Sequence, residues 1–336
     1  MDNLTHSLTG ALAAKIIDHS PLFSEDLEDQ KRKTFWLLVL CANLPDVDVL
    51  ASFMGDSIFS TQHHRGITHS LLFAPVLALF PAAAFYFLFK LKHFKAIWAL
   101  SLMGIALHIF FDVITPFGTQ IFAPLSTTRY ALDWMFIVDP FFTGILALTL
   151  VAQKINAQRR KLFVFTGSAL VLLYLFVEMI NHHLAHRRVR EAISQQGITE
   201  ARISALPQPL SIFRWKGLAQ TDERLLQTFF SVPADADSLT FENHGNAQNG
   251  FVEKAMQTEA AKWYMAFSRH PWIQSTQNGD LHVVEFRDLQ FTVDKKILNA
   301  LGFPERSMPF FLRFVYSSSG DLMEIIFDGK NLTSKE

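Results

Sequence analysis

The feature that most constrains the fold of this chain is the segment 35–181, which is apolar and carries few charged side chains. The remainder, 187–336, has the composition of an ordinary soluble domain. Over all 336 residues only 18% are charged, against about 25% in a typical soluble protein. This asymmetry excludes a single soluble enzyme, and it predicts a membrane domain joined to a domain that faces water.

Charge and cysteine content exclude further classes of protein. The 30 Lys and Arg nearly balance the 31 Asp and Glu, so we expect no nucleic-acid partner. The single cysteine, Cys41, lies within an apolar run, which leaves neither a disulfide nor a cysteine-based zinc site. The N-terminus does not resemble a signal peptide, because no basic region precedes its short apolar stretch.

Membrane helices are predicted where about 20 consecutive residues are apolar, enough to cross a hydrocarbon core of about 30 Å. Four stretches meet or approach that length: 67–90, 96–116, 136–153 and 161–181. A fifth stretch, 34–54, is interrupted by Pro45 and two aspartates, and 4–17 is short for a span. We therefore predict a mainly α polytopic membrane domain of about five to six helices over residues 1–181.

The lysines and arginines of the short loops predict the orientation, because cytoplasmic loops are enriched in them. Loops 55–66 and 117–135 hold only Arg65 and Arg129. The opposite loops hold ten: Lys31, Arg32, Lys33, Lys90, Lys92, Lys95, Lys154, Arg159, Arg160 and Lys161. This count predicts a multi-pass membrane protein with its C-terminal domain on the outer side, although Arg187, Arg188 and Arg190 follow the last helix on that side.

The pattern changes after a connector of residues 182–198, and 199–336 is predicted as a small extramembrane α+β domain. Segments 281–293, 309–316 and 322–327 have the pattern of strands, and a turn joins the last two as a hairpin. Residues 251–268 have the pattern of an amphipathic helix. We find no catalytic constellation in this domain, and its protein partner stays open.

Ionisable side chains inside apolar spans are costly and commonly mark function. Here they are Asp46, Asp48, His108 and Asp112, with Glu178 in the last span. At a rise of about 1.5 Å per residue from the inner side, Asp46 and His108 both lie about 18 Å up, and Asp112 about 24 Å. The predicted topology therefore brings these residues together in the outer half of the bilayer.

A short repeat supports this convergence. The sequence Leu4-Thr5-His6-Ser7-Leu8 recurs as Ile67-Thr68-His69-Ser70-Leu71. In each copy the threonine is predicted as a helix N-cap, with the histidine at the first helical position. Both helices are predicted to begin at the outer face, so His6 and His69 are expected at one level.

Together these residues predict a metal site. His108 and Asp112 are four residues apart and face the same way on a helix, which suits two ligands of one cation. A regular helix does not aim both Asp46 and Asp48 at one ion, but a bend at Pro45 would relax that limit. Imidazole and carboxylate ligands suit zinc, our first choice, and also manganese or iron, as one or two ions. The predicted ligands are His6, Asp46, His64, His69, His108 and Asp112.

Other interpretations of the cluster stay open, namely a proton or ion path and structural pairing that only satisfies helix packing. Glu178 and His182 could extend the site at the end of the last helix, or they could be ordinary interfacial residues. Arg129 could hold an anionic substrate, or it could anchor its loop to Asp133.

At these positions the sequence resembles the membrane-bound metal-dependent hydrolase family, also described as LexA-binding inner-membrane hydrolases. The resemblance covers about residues 1–180, and its most specific element is His64-Arg65-Gly66-Ile67-Thr68-His69-Ser70. The other matching elements are Thr5-His6-Ser7, Leu44-Pro45-Asp46-Val47-Asp48, His108 with Asp112, and Pro116-Phe117-Gly118. The resemblance implies an inner-membrane protein with metal-dependent hydrolase activity, and it supplies no substrate.

The order His, Asp, His, then His-x-x-x-Asp is also similar to that of secreted zinc-dependent phospholipases C. Those enzymes carry a further His-x-x-x-Glu pair, which is not found after Asp112 in this sequence. The nearest substitute is Glu178 with His182, in reversed order. This second resemblance bears mainly on the substrate.

The resulting hypothesis is a hydrolase that uses a metal-activated water. Its substrate would be a lipid or lipid-linked (phospho)ester at the outer face of the bilayer. Asp48 would act as general base or bridge two metals, and Arg65 or Arg129 would stabilise developing negative charge. Membrane lipids are the expected partners, because a soluble substrate would not require a site so close to the bilayer. The alternatives are a proton- or metal-ion-coupled transporter and a scaffold with a structural metal. The choice between His63 and His64 as ligand also stays open.

Overall fold

The chain divides into two compact units in the computed structural model, which describes residues 1–19, 28–53, 57–221, 224–233, 239–302 and 309–333. The first, here called the helical unit, contains residues 1–50 and 63–180. The second, here called the sheet unit, contains residues 51–62 and 181–336. Each unit is described by itself below.

Helices dominate the chain up to residue 195. The α-helices described there are α1 (Asn3–Asp18), α2 (Glu28–Cys41), α3 (Ser57–His63), α4 (Ala74–Leu77), α5 (Leu79–Phe87), α6 (Phe94–Val113), α7 (Pro140–Ile155) and α8 (Arg160–Gln195). Three described 3₁₀ segments interrupt them, namely Leu44–Phe53 after α2, Ile67–His69 after α3 and Ala157–Arg159 before α8. The first two of these segments carry three of the polar residues that the sequence singles out, namely Asp46, Asp48 and His69.

The start of α1 differs from the predicted threonine cap. Asp2 is the N-cap, and its carboxylate accepts hydrogen bonds from the amide and the hydroxyl of Thr5, at 3.0 and 2.7 Å. Likewise Gly66, and not Thr68, precedes the 3₁₀ turn that carries His69. An aspartate three residues upstream is a strong capping group, so Thr5 lies inside the helix instead of in front of it.

Small residues allow α1, α2 and α6 to pack at close range. A Cβ atom on Gly10 of α1 would lie 2.7 Å from the carbonyl oxygen of Leu38 in α2. A Cβ atom on Gly104 of α6 would lie 2.7 Å from the Cβ of Cys41 in α2. Glycine at both positions therefore lets the three backbones approach, as in tightly packed membrane helices.

The prediction of five to six membrane helices was wrong. Fewer of the described helices have the length and hydropathy of a membrane span. Among the described residues, Phe94–Val113 and Ala157–Gln195 are each long and apolar enough to cross a membrane. The bent pair Thr61–His69 and Ala74–Phe87 makes a third if it counts as one span. The stretch 34–54 fails because its helix begins with polar turns and its second half is 3₁₀.

The segment 67–90, predicted as one helix, is broken after the 3₁₀ turn. The parts on either side of the break meet at an angle of 78°. At the break, the hydroxyl of Ser70 and the amide of Leu71 donate to backbone carbonyls within the loop 121–123, at 2.5 and 3.0 Å. Hydrogen bonds to this loop replace those of a continuous helix, and they hold His69 at a bend.

Two antiparallel sheets and short helices form the sheet unit, which confirms the predicted α+β class for this part of the chain. In the first sheet the strands lie in the order β1 (Arg202–Pro207), β2 (Arg214–Gln220), β3 (Arg224–Ser231) and β4 (Glu242–Gly245). In the second the order is β5 (Pro271–Asn278), β6 (Leu281–Asp288), β7 (Leu312–Tyr316), β8 (Leu322–Phe327) and β9 (Lys330–Asn331). The helices are α9 (Gly250–Met256), α10 (Glu259–Phe267) and α11 (Lys295–Leu301).

The predicted hairpin of the sheet unit is confirmed, whereas two predicted elements end early. Strands β7 and β8 pair across the turn at 317–321. The helix predicted over 251–268 is divided into α9 and α10, because the side chain of Thr258 caps the second helix. Strand β6 ends at Asp288, where a 3₁₀ turn begins.

A buried lysine is fully paired in the core of the sheet unit. The ammonium of Lys216 donates to the backbone carbonyls of Leu289, Gln290 and Thr292, at 2.6, 2.8 and 2.8 Å. Burying a charge is costly unless it is hydrogen-bonded, and these three carbonyls supply the partners. The charge therefore joins β2 to the segment after β6.

Candidate metal centre

Four elements of the helical unit converge on one buried cluster. The 3₁₀ segment after α2 carries Asp46 and Asp48, and the residues just after α3 are His64 and Arg65. The 3₁₀ turn Ile67–His69 ends in His69, and α6 carries His108 and Asp112 one turn apart. Helix α1 adds His6, which is fully buried. The structure thus brings together all the residues that the sequence predicts as metal ligands.

One group consists of Asp46, His69, His108 and Asp112, whose four ligand atoms lie within 4.8 Å of one another. His69 Nε2 lies 3.0 Å from His108 Nε2, 3.2 Å from Asp112 Oδ2 and 3.5 Å from Asp46 Oδ1. His108 Nε2 lies 3.5 Å from both of the same carboxylate oxygens. Ligand atoms at 2.0–2.1 Å from a tetrahedral zinc would be about 3.3 Å apart. The group therefore has the spacing of a tetrahedral site.

The orientation of both imidazoles is set by their second nitrogens. His108 Nδ1 lies 2.7 Å from the carbonyl oxygen of Ala42, which can only accept, so the ring donates there and Nε2 carries the lone pair. His69 Nδ1 lies 3.0 Å from the hydroxyl of Thr68. Partners of this kind commonly fix the tautomer of a metal-binding histidine. Both rings therefore present Nε2 to the cluster.

A second group consists of Asp46, Asp48 and His64, again with ligand atoms within 4.8 Å. His64 Nδ1 lies 3.1 Å from Asp48 Oδ1, and Asp48 Oδ2 accepts hydrogen bonds from the Arg65 amide (2.9 Å) and the Thr68 hydroxyl (3.2 Å). Burial alone would raise the pKa of Asp48, but hydrogen bonds from His64 and His69 outweigh it and hold the pKa below its usual range. The carboxylate is therefore ionised near neutral pH.

Asp46 belongs to both groups and could bridge two ions, whereas the sequence suggested Asp48 for that role. The two aspartates reach one cluster because the chain after Pro45 is a 3₁₀ helix and not an α-helix. A 3₁₀ helix has three residues per turn, so its side chains are spaced differently around the axis. The predicted limit on Asp46 and Asp48 is thus relaxed by a 3₁₀ helix, where a bend at Pro45 was predicted.

His6 lies against the cluster but outside both groups. Its ring stacks on that of His108, with centroids 3.7 Å apart, and its Nε2 lies 3.3 Å from Asp112 Oδ1. Burial is the largest influence on its pKa and lowers it to about 4, so the ring is neutral at pH 7. Neither ring nitrogen makes a hydrogen bond within the described part of the chain. A buried neutral imidazole without hydrogen bonds is a suitable donor for a metal.

Arg65 is buried against Asp112 and is not directed to open space. Its Nε lies 2.9 Å from Asp112 Oδ2, and its Nη1 donates to the hydroxyl of Thr115 at 3.0 Å. The amino group of Met1 also contacts Asp112. The guanidinium lies over the ring of Phe117, 4.9 Å from its centroid. Arg65 therefore balances the charge of a predicted metal ligand.

Arg129, predicted to bind an anion or to anchor its loop, contacts backbone on both sides of the site. Its guanidinium donates to the carbonyls of His64 (3.1 Å) and Gly118 (3.3 Å). It also lies over Phe117, 5.6 Å from the ring centroid. These contacts fix the loop that carries the predicted ligand His64.

The remaining auxiliary residues lie apart from the two groups. His63 is exposed, and the buried Glu178 lies on α8 with Asp139 and Tyr174 as its neighbours. His182 belongs to the sheet unit, where its ring centroid is 5.8 Å from that of Trp215. Of the adjacent pair of histidines, only His64 joins a group among the described residues.

Three contributors to the cluster were missed as site residues in the sequence. Thr68 holds Asp48 and His69, the carbonyl of Ala42 orients His108, and Phe117 lies beneath two arginines. Thr68 and Phe117 lie within the sequence motifs that resemble the family, so those motifs could have identified both as site residues. A backbone carbonyl leaves no signal in the residue type, and Ala42 could not have been found.

The chain contains apolar helices long enough to cross a membrane, and a buried His–Asp group that could hold a metal ion. These two features define the class of the protein: a membrane protein with a candidate metal site. Comparison with known proteins identifies the family. The model of the family described as YdjM inner membrane protein matches residues 1–185, and the chain belongs to that family. The family that the sequence motifs indicated is thus confirmed.

One relative among curated proteins is the uncharacterized protein YfhP of Bacillus subtilis (strain 168), which is 26% identical to this chain over 141 residues. The aligned part spans 42% of this chain and 42% of that protein. No solved structure shows significant similarity to the chain.

Proposed function

We propose that the helical unit is a metal-dependent hydrolase that acts on a lipid or lipid-linked (phospho)ester at the outer face of the inner membrane. The observation that carries the proposal is the spacing of four ligand atoms from Asp46, His69, His108 and Asp112, at 3.0–3.5 Å for the measured pairs. Two imidazoles and two carboxylates fit zinc, and also manganese or iron. Membership of an inner-membrane family supports a substrate within the membrane.

The residues divide between holding ions and handling protons. Asp46, His69, His108 and Asp112 would hold one ion, and Asp46, Asp48 and His64 would hold a second. When bound, such an ion lowers the pKa of a water molecule and polarises an ester or phosphoryl oxygen. The neutral imidazole of His6 is close enough to Asp112 to join the first set after a small movement.

Asp48 is our candidate for the general base. Its carboxylate is ionised, and its neighbour His64 is 30% exposed, which opens a route for the proton toward solvent. With only the first ion bound, Asp48 would be free to accept a proton from the attacking water, and His64 would pass it on. General bases contribute about 10²–10⁴-fold to a rate, which sets the expected effect of removing this carboxylate.

Arg65 would act by charge balance. Three aspartates in one buried cluster repel one another, and the guanidinium beside Asp112 offsets part of that repulsion. Its contact with Asp112 also holds the carboxylate in place for an ion. Arg129 donates a hydrogen bond to the carbonyl of His64, and it would thereby position His64 in the site.

The transporter alternative has less support. A relay across the membrane needs polar groups on the inner side of His108, and the buried polar residue described there in α6 is Ser101. Its hydroxyl donates to the carbonyl of Ile97 in the same helix, at 2.9 Å, and is therefore already used. The scaffold alternative predicts that loss of the metal destabilises the fold without loss of a reaction.

Elemental analysis of the detergent-purified protein tests the proposal first. We expect stoichiometric zinc or manganese in the wild type and its loss in a His108→Ala, Asp112→Ala double variant. Because removing Asp112 leaves Arg65 buried without its partner, Asp46→Asn serves as a second, milder variant. An Asp280→Ala, His282→Ala variant of the sheet unit is the matched control and should keep the metal.

Turnover is then measured with a fluorogenic lipid phosphoester in vesicles. Metal-dependent hydrolysis by the wild type and the control, absent from both site variants, would support the proposal. A monodisperse wild type without bound metal after reconstitution would overturn it. Bound metal with no hydrolysis of carboxylic or phosphoric esters would favour the structural role instead.

A further inference from the structure

An open groove in the helical unit leads away from the metal centre. Its volume is about 1020 Å³, at the upper end of the usual range for small-molecule sites. The walls come from α2, the 3₁₀ segment after it, and α5 with the residue Phe89 beyond its end. All of these elements belong to the helical unit. Asp46, which is common to both candidate metal groups, lines the groove.

The lining changes in polarity along the groove. Near the metal centre it is polar, with Asn3, Asn43 and Asp46. The middle is apolar and includes Trp36, Leu40 and Phe85, and the far end of α2 contributes Arg32 and Lys33. Positions 33, 36 and 40 recur at intervals of three and four residues, so one face of α2 forms the wall, and Asn43 follows just beyond its end.

The part of the groove wall that α2 forms is about as long as a hydrocarbon chain of one lipid monolayer. From Arg32 to the end of α2 at Cys41 the helix rises about 14 Å. Half of the hydrocarbon core of a bilayer is about 15 Å. Trp36 and Leu40 are 58% and 48% exposed, so both side chains are accessible to an apolar ligand in the groove.

We infer that this groove binds one acyl chain of an anionic glycerophospholipid whose phosphoester group lies at the metal centre. The polar end suits the glycerol and ester oxygens: Asn3 lines it, and the Asn43 amide, whose nitrogen donates to Ser7 and to the carbonyl of Val39, presents its oxygen as an acceptor for a glycerol hydroxyl. The metal ions suit the phosphate by charge, and the cationic end at Arg32 and Lys33 limits the chain length. This inference rests on the proposed function and narrows its substrate to a lipid with an extended chain.

A pair of adjacent alanines on α5 provides a sharp test. Ala84 lines the groove, whereas Ala83 does not, and both are half-buried in the same helix. Ala84→Trp should fill the groove, and Ala83→Trp is the matched control. Leu40→Trp fills the groove from the opposite wall, and it replaces Ala84→Trp if that variant is not monodisperse.

The full-length protein is reconstituted in phosphatidylcholine vesicles that contain a small share of phosphatidylglycerol with a photoactivatable diazirine in one acyl chain. Labelled peptides are identified by mass spectrometry, and bound metal is measured in the same samples. In the wild type and in Ala83→Trp we expect labelling around Trp36 and Leu40 well above that around the exposed Leu172 and Leu173 of α8. In Ala84→Trp we expect that labelling to fall about tenfold, equivalent to about 1.4 kcal/mol of binding, with the metal retained.

Equal labelling in Ala84→Trp and the wild type would overturn the inference, as would labelling in the wild type no stronger than on α8. Either result leaves the proposed function intact if metal and turnover persist. If the wild type holds no metal or hydrolyses no ester, the proposed function fails, whatever the labelling. Turnover of a short-chain soluble phosphoester by Ala83→Trp should equal that of the wild type, because Ala83 does not line the groove.

Discussion

At the scale of single residues, Asp46 and Asp48 share one 3₁₀ segment but have different neighbours. Asp46 lies between the two candidate metal groups, with His69 and His108 each 3.5 Å away. Asp48 faces His64, which is partly exposed, and accepts hydrogen bonds from an amide and a hydroxyl. This difference assigns ion binding mainly to Asp46 and proton transfer mainly to Asp48 in the proposed mechanism.

The substitution Asp48→Asn separates the two roles. It removes the basic oxygen while keeping the shape of the side chain, so we expect hydrolysis to fall by about 10²–10⁴-fold. The substitution leaves the four candidate ligands Asp46, His69, His108 and Asp112 unchanged. Elemental analysis should therefore still find at least one ion per chain. Asp18→Asn, which removes a carboxylate paired with Lys15 at 2.9 Å, is the control and should leave turnover unchanged. Wild-type turnover in Asp48→Asn would remove Asp48 from the mechanism.

At the scale of elements, the distances between α1, α2 and α6 decide whether the cluster can form. His6, Asp46 and His108 come from separate elements and meet only if the backbones approach closely. At Gly10 and at Gly104 an added Cβ atom would lie 2.7 Å from α2, so glycine permits the approach at both positions. The metal centre therefore depends on residues that never touch it.

Replacing Gly104 by alanine tests this dependence. The added Cβ would lie 2.7 Å from the Cβ of Cys41, so α6 must move, and overpacking of this kind costs about 1–3 kcal/mol. Gly144→Ala on α7 is the control, because its added Cβ meets nothing within 4 Å. The higher helix propensity of alanine should stabilise this variant by up to about 1 kcal/mol. We expect a lower midpoint of thermal unfolding and less bound metal in Gly104→Ala only. Equal midpoints for the two variants would contradict the argument.

At the scale of the whole molecule, residues 51–62 belong to the same compact unit as the C-terminal residues, although the sequence between them forms the helical unit. Ile58 packs against the core cluster that includes Tyr264 and Phe314. The loop 55–66 carries only one cationic residue and is assigned to the outer side by that criterion. The sheet unit should therefore lie on the periplasmic side together with this loop.

Labelling of introduced cysteines tests that orientation. The native Cys41 is fully buried and should give little background. In spheroplasts treated with a membrane-impermeant maleimide, Ser318→Cys should react, because Ser318 is an exposed residue of the sheet unit. The periplasmic placement requires that the shorter apolar helix α7 also crosses the membrane, and Gln158→Cys, in the exposed cation-rich segment before α8, should then react only after the cells are lysed. The reverse pattern would place the sheet unit in the cytoplasm.

Much of the chemistry could be predicted from local patterns. The apolar composition, the motif from His64 to Ser70 and the spacing of His108 and Asp112 are visible along the chain and led to the family. The β7–β8 hairpin was predicted for the same reason, since a turn between two apolar runs is a short-range signal. The number of spans was overestimated, because hydropathy alone does not reveal that a stretch such as 34–54 changes to a 3₁₀ helix.

By itself, the sequence determined the two-part character of the protein, its family and the residue types available to a metal. Only the tertiary structure decided how they meet: that Asp46 joins two groups, that Arg65 balances Asp112, and that an apolar groove ends at the centre. These features depend on contacts between residues far apart in the chain. Local patterns cannot specify such contacts, because they result from the close packing of helices and from hydrogen bonds to backbone carbonyls such as that of Ala42.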